Sequence, residues 1–202
     1  MYMRNEHIIL AILWIVFCFL HSLLAGHSVK RKAQAVMGRH FKHYRLLYTL
    51  FAAVFFIAII AYQLLMKQDY LFKVSFFHSI AGWVLGLSGL LLMLVCIRKY
   101  FMNLSGVKSL VQEHAGNTLI ISGVHRYVRH PLYLGTFAFI WGLFLLVPAL
   151  SLLIANVIIT GYTLIGIYFE ESKLVDEFGE SYTKYQQTVP RILPFRKPKR
   201  AR

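Results

Sequence analysis

The sequence predicts an all-α, multi-pass integral membrane protein, on three observations. Five apolar stretches of 17 to 21 residues run through the chain, none containing Asp, Glu, Lys or Arg. Hydrophobic residues make up 58% of the 202 and charged residues only 15%, more apolar surface than one soluble core can hide. The basic residues are concentrated in alternate connections between the apolar stretches, the pattern that bilayer insertion imposes.

The first stretch is Ile8–Ala25. Its 18 residues are long for the core of a signal peptide. Lys30, Arg31 and Lys32 follow at once and favour retention, so it is expected to stay as the first transmembrane helix. The second and third stretches are Leu46–Met66 and Phe77–Ile97. The fourth opens at Pro131 and ends at Val147, and the fifth runs from Ala149 to Phe169. At 1.5 Å per residue each covers most or all of a hydrocarbon core of about 30 Å. Pro148 separates the last two, with no charge between Arg129 and Glu170. A tight helical hairpin between the fourth and fifth helices is expected, since one kinked 39-residue helix is too long for a single crossing.

Nineteen of the 22 Lys and Arg fall in the first loop, the third loop and the C-terminal tail. Only Arg4, Lys67 and Lys73 fall on the other side. The expected orientation therefore has the N-terminus outside and the C-terminus in the cytosol. A net charge of +14 spread between apolar runs points to lipid headgroups as the anionic partner and away from nucleic acid. Cys18 and Cys96 lie inside apolar runs and are expected as small buried hydrophobes. The nine histidines show no metal-ligand spacing, His40/His43 and His125/His130 being the only close pairs, so no metal is expected. His21, beside Ser22 on the first helix, suits a polar pair between helices or a place facing substrate.

Two polar clusters could carry chemistry. The first is Gly123–Gly135, where a basic loop enters the fourth helix. Pro131 fits the first helical position, which places His130 at the N-cap beside free backbone N–H groups and the positive end of the helix dipole. Such a place suits a carboxylate or phosphate, and Gly135, one turn on, permits close approach to the helix. Arg126 and Arg129 equally suit an anchor on lipid phosphates. The second cluster is Glu170-Glu171 at the exit of the fifth helix, where acids oppose the dipole and stand out on a basic face. They suit ribose hydroxyls or an ammonium group, or else a solvated continuation paired with Lys173 and Lys184. A hairpin would bring the two clusters to one membrane depth. Beyond them, Leu174, Phe178, Tyr182 and Tyr185 recur at helical spacing, Gly179 is a candidate break, and Val189–Phe195 suits an extended segment folding back over the pocket.

Arg126 through Gly135, then Glu170-Glu171, then Phe178 through Tyr185, then Val189-Pro190-Arg191 to Pro194, resemble the isoprenylcysteine carboxyl methyltransferase and phospholipid methyltransferase-like membrane family over about the last 80 residues. His21 through Ala25 and Tyr44 through Tyr48 resemble its bacterial NnrU-like or methanethiol S-methyltransferase-like branch. The resemblance implies a membrane methyltransferase using S-adenosyl-L-methionine, in a bacterial inner membrane. It implies one membrane domain over 1–202, with three helices in residues 1–100 and the cofactor-binding region in residues 101–202. His130, Pro131, Tyr133 and Gly135 would line the cofactor with Arg129 beside them. Gly123, His125 and Arg126 lie in the loop that would close over it, and Glu170 with Glu171 would anchor its polar end. His21, Tyr182 and Arg191 are the substrate-facing candidates. Isoprenylcysteine enzymes of eukaryotes carry an arginine about one turn before the acidic pair, where this chain has Gly166. That departure points away from a prenylcysteine carboxylate and toward a small or lipophilic thiol or acid. An NAD(P)H-dependent membrane reductase of the sterol type and a non-catalytic membrane assembly or transport protein are the rival functions.

Overall fold

In the computed structural model, residues 4–104, 119 and 121–195 are described. Seven α-helices occur among them: α1 Asn5–Ala25, α2 His27–Met37, α3 Tyr44–Leu65, α4 Phe76–Leu104, α5 Pro131–Leu146, α6 Leu150–Phe178 and α7 Glu180–Thr188. Two 3-10 turns, Gly38–His43 and Gly123–Arg126, precede α3 and α5. Extended pairing among the described residues amounts to one isolated bridge between Tyr70 and Ala149. Four helical spans are long and apolar enough to cross a membrane: Asn5–Ala25, Ser28–Leu65, Phe76–Arg98 and Leu150–Phe178. The stretch expected as the fourth crossing is α5, an apolar helix of 16 residues, about 24 Å long.

The first basic loop is more ordered than expected. Residues 27–43 form α2 and a 3-10 turn that ends where α3 begins. The last apolar helix continues past Phe169 to Phe178, as the spacing of Leu174 and Phe178 predicts, because Glu170, Glu171, Lys173, Leu174 and Glu177 are all good helix formers. It stops at Gly179, whose φ of +56° is costly for any residue with a Cβ.

The chain folds as two compact units. Among the described residues, the first comprises 4–74, 100–104 and 147–159. Its core is Leu10 and Trp14 of α1, Ile59 of α3, Met66, and Ala155 of α6. Trp14 sits edge-on to Phe17 and Phe56 and points its indole N–H at Gln63. Polar contacts close one end. Leu71 N donates to Pro148 O at 2.8 Å, Leu150 N donates to Asp69 O at 2.9 Å, and Ser151 bonds Gln68. At the other end Tyr44 donates to Leu24 O at 2.7 Å, and the Tyr48 hydroxyl meets the His21 ring at 2.8 Å.

The second unit comprises residues 75–99, 119, 121–146 and 160–195. Here α4 and α5 touch through small residues. A Cβ on Gly89 would lie 2.5 Å from Phe139 N and 2.6 Å from Gly135 O, and one on Gly142 would lie 2.5 Å from Gly86 N. Backbone-to-backbone approach of this kind is how helices associate where lipid gives no hydrophobic drive. The 160–178 stretch of α6 runs antiparallel to α5. Trp141 donates to Thr160 at 3.2 Å, and 37 residues apart in sequence Tyr133 donates to Glu170 at 3.0 Å.

Candidate active site

The start of α5, the α6 stretch around Glu171, α7 and the segment after it meet within the second unit. Pro131 opens α5 at the position where its missing N–H costs nothing, which makes His130 the N-cap. The two backbone donors just before the helix are taken by the chain itself. His130 N donates to Arg191 O at 3.1 Å and Arg129 N donates to Pro190 O at 2.9 Å. The stretch 190–191 thus lies along 129–130.

Glu171 is the hub. Its side chain is 4% exposed. Oε1 accepts from Arg129 Nε at 2.7 Å, lies 2.7 Å from Arg129 Nη2, and is 3.2 Å from His130 Nε2. Oε2 accepts from Arg191 Nε at 3.0 Å, lies 2.8 Å from Arg191 Nη2, and is 3.5 Å from Gln186 Nε2. Two guanidinium groups therefore bind one carboxylate, one on each oxygen. The third nitrogen of Arg129 donates to the carbonyls of Gln186, at 3.0 Å, and Val189. A buried charge is tolerated only when paired and hydrogen-bonded in this way. Glu171 is therefore a tie between four segments. It is not a solvated acid, and Lys184, a possible partner in a solvated continuation, pairs with Glu180 at 3.0 Å.

Glu170, its neighbour, points elsewhere, because adjacent helical residues lie about 100° apart. Its side chain is 44% exposed. Its Oε2 accepts from Tyr133 and lies 3.8 Å from His130 Nδ1. The His130 ring stacks on that of Tyr133 with centroids 5.6 Å apart. His130 thus bridges the two acids, one at each ring nitrogen.

The remaining expected residues divide. Gly135 is buried against α4, where a Cβ would meet Gly89 O at 2.9 Å; a helix, not a ligand, uses the close approach. Gly123 has φ +67° and starts the 3-10 turn that carries His125 and Arg126. Arg126 is exposed, and His125 O accepts from Tyr185 of α7 at 2.6 Å. Tyr182 is buried, and its hydroxyl has no hydrogen-bond partner among the described residues. Burial, reinforced by the charge of Glu171, pushes its phenol up to about 12. His21 belongs to the first unit, held by Tyr48.

Two features had no sequence signal. Gln186 acts through an amide and a backbone carbonyl that nothing in residue type announces. A cleft of about 240 Å³ opens on the other face of α6, lined by Tyr168, Glu171, Ser172, Asp176, Gln186 and Arg191.

The comparisons with known proteins agree on methyltransferases. The family model described as phospholipid methyltransferase matches residues 80–181. Methanethiol S-methyltransferase of Crocosphaera subtropica is 38% identical over 73 residues, 35% of this chain and 27% of the relative. Methanethiol S-methyltransferase 1 of Bradyrhizobium diazoefficiens is 34% identical over 76 residues, 37% of this chain and 25% of the relative. Protein-S-isoprenylcysteine O-methyltransferase of Schizosaccharomyces pombe is 38% identical over 86 residues, 41% of this chain and 36% of the relative. The matched stretch thus spans about a quarter to a third of the curated relatives' length. No solved structure matches. The family match takes in α5, the acidic pair and most of α4, half of the whole sequence: the chain belongs to the phospholipid methyltransferase family.

Proposed function

We propose that the chain is an S-adenosylmethionine-dependent membrane methyltransferase acting on a small or lipophilic thiol or carboxylate at the cytosolic face. One observation carries this reading: Glu170 keeps an accessible carboxylate, oriented by Tyr133 and His130, while the adjacent Glu171 spends its charge holding the surrounding segments in place. An oriented, half-exposed carboxylate fits the hydroxyl and ammonium groups of that donor. The cleft beside Glu171 adds Asp176 of α6 and Gln186 of α7.

When bound, S-adenosylmethionine supplies a methyl group already activated on a sulfonium. The protein's work is then alignment and exclusion of water. Tyr133 and His130 fix the Glu170 carboxylate, and the 190–191 stretch covers the 129–130 backbone. A thiol or acid acceptor ionises readily and needs no strong base. The bilayer disposition belongs to the same proposal: five crossings, α5 and α6 as a hairpin, the N-terminus outside and the site on the cytosolic side of a bacterial inner membrane. The match to enzymes named for methanethiol favours a thiol.

Calorimetric titration with S-adenosylhomocysteine against NADPH, followed by methyl transfer from labelled donor to thiols, prenylcysteines and lipids, tests the reading. Binding of NADPH alone, or transfer to none of the acceptors, sinks it. Within that assay, Tyr133→Phe removes one hydrogen bond to Glu170. It is expected to cost about 1 kcal/mol of stability and to weaken S-adenosylhomocysteine binding several-fold. Gly166→Arg is expected to fold, because a Cβ there meets nothing within 4 Å. The added guanidinium one turn before the acids is expected to raise methylation of prenylcysteine carboxylates relative to thiols by about tenfold, the worth of one charge-assisted hydrogen bond. An unchanged acceptor ratio would count against that placement of the acceptor.

A further inference from the structure

We infer that α2 is an interfacial helix that binds anionic phospholipid headgroups. The helix lies between α1 and α3, inside the 38-residue candidate span Ser28–Leu65; about 20 residues suffice for one crossing, and the 22 of α3 supply them, which leaves α2 at the membrane surface. At 100° per residue, Val29, Ala33, Val36 and Met37 fall within one apolar arc. Lys30 and Lys32 flank that arc and Arg31 lies opposite. This is the arrangement of a helix lying in the headgroup layer, apolar side down and lysines reaching up beside it.

Two further observations favour a charged lipid surface as the occupant. Val36, at the edge of the arc next to Lys32, is 87% exposed, and Val29, Ala33 and Met37 are half-buried. There is also no acidic residue from His7 to Gln68, while Lys30, Arg31, Lys32, Arg39, Lys42 and Arg45 crowd into sixteen positions. The stretch that holds α2 and the turn after it is therefore strongly positive in net charge. Phosphodiester headgroups carrying net negative charge supply the complement, each basic residue near such a surface being worth roughly fivefold in local lipid preference. The inference uses the membrane disposition alone, so failure of the methyl-transfer reading leaves it standing.

The test is a Val36→Trp variant of the full chain in vesicles. Quenching of its added fluorescence is measured against the unsubstituted chain, which carries Trp14, Trp83 and Trp141. Brominated phosphatidylglycerol is compared with brominated phosphatidylcholine at equal mole fraction. The anionic lipid is expected to quench about fivefold more effectively at low salt. That preference is expected to fall toward parity in Arg31→Gln/Lys32→Gln, which leaves the α2 helix formers in place. It is also expected to fall in about 1 M salt, where the screening length is about 3 Å. Equal quenching by the two lipids overturns the inference. So does a preference that survives both the double substitution and high salt, and so does the absence of quenching by either lipid.

Discussion

Glu171→Ala is expected to cost about 3–5 kcal/mol of stability and to abolish activity, because it leaves Arg129 buried with no counter-charge. The Arg129 side chain is only 8% exposed, and its other partners, the carbonyls of Gln186 and Val189, are neutral. Removing the carboxylate also frees Arg191 and the His130 ring, so the 190–191 segment loses its side-chain hold on α6. Glu170→Gln provides the contrast. The Glu170 side chain is 44% exposed and carries no such load, so its amide is expected to leave thermal unfolding nearly unchanged. Its effect is expected on donor binding, a loss of about ten- to a hundredfold in S-adenosylhomocysteine affinity. Thermal unfolding in detergent, read beside calorimetric affinity, separates the two. Equal stability losses for the two variants would defeat the division of labour between the adjacent acids. Glu171→Gln keeps the shape and one acceptor oxygen, its NH2 facing the other guanidinium, and is expected to fall between them in stability.

That division was not legible in the sequence, although the acidic pair was. Two acids at the end of an apolar helix on a basic face announce a function by composition alone. Which of them turns inward depends on the rotation of α6, and rotation is set by tertiary packing, not by residue type. The N-cap was similar. His130-Pro131 correctly marked the start of α5, but not that the carbonyls of Pro190 and Arg191 take the backbone donors of Arg129 and His130. A carbonyl sixty residues away leaves no trace in local pattern. Most of the fold was legible for the opposite reason. Apolar run length is a local property, so the stretches from Ile8, Leu46, Phe77, Pro131 and Ala149 each coincide with a helix. The 170–178 extension of α6 was legible too, from the helical spacing of Leu174 and Phe178 and the break at Gly179. What escaped was α2 with its following turn, a polar segment that lacks an apolar run.

Gly135 shows the same limit from another side, and leads to the second large effect. The sequence marked it as a place of close approach; the structure makes the approaching group a helix. Gly89→Leu is expected to lose most folded protein. Its Cβ alone would lie 2.5 Å from Phe139 N and 2.6 Å from Gly135 O, and both are backbone atoms with no rotamer to yield. The helices must separate by more than an ångström, which forfeits the packing along Gly82, Gly86 and Gly142 and costs about 3 kcal/mol or more. Gly142→Leu is expected to match it, with Gly86 N at 2.5 Å. Gly161→Ala and Gly166→Ala are the controls: a Cβ at either meets nothing within 4 Å, and Ala is the better helix former by about 1 kcal/mol. They are expected to be neutral or slightly stabilising. The measurement is yield of monodisperse protein from membranes, with thermal unfolding of whatever is recovered. Because α5 carries His130 and Tyr133 at its first turn, a shift of α5 against α4 also moves the groups that orient Glu170. Any Gly89→Leu protein that survives is therefore expected to bind S-adenosylhomocysteine more weakly. Normal yield together with normal affinity would show that the two helices do not pack through these glycines.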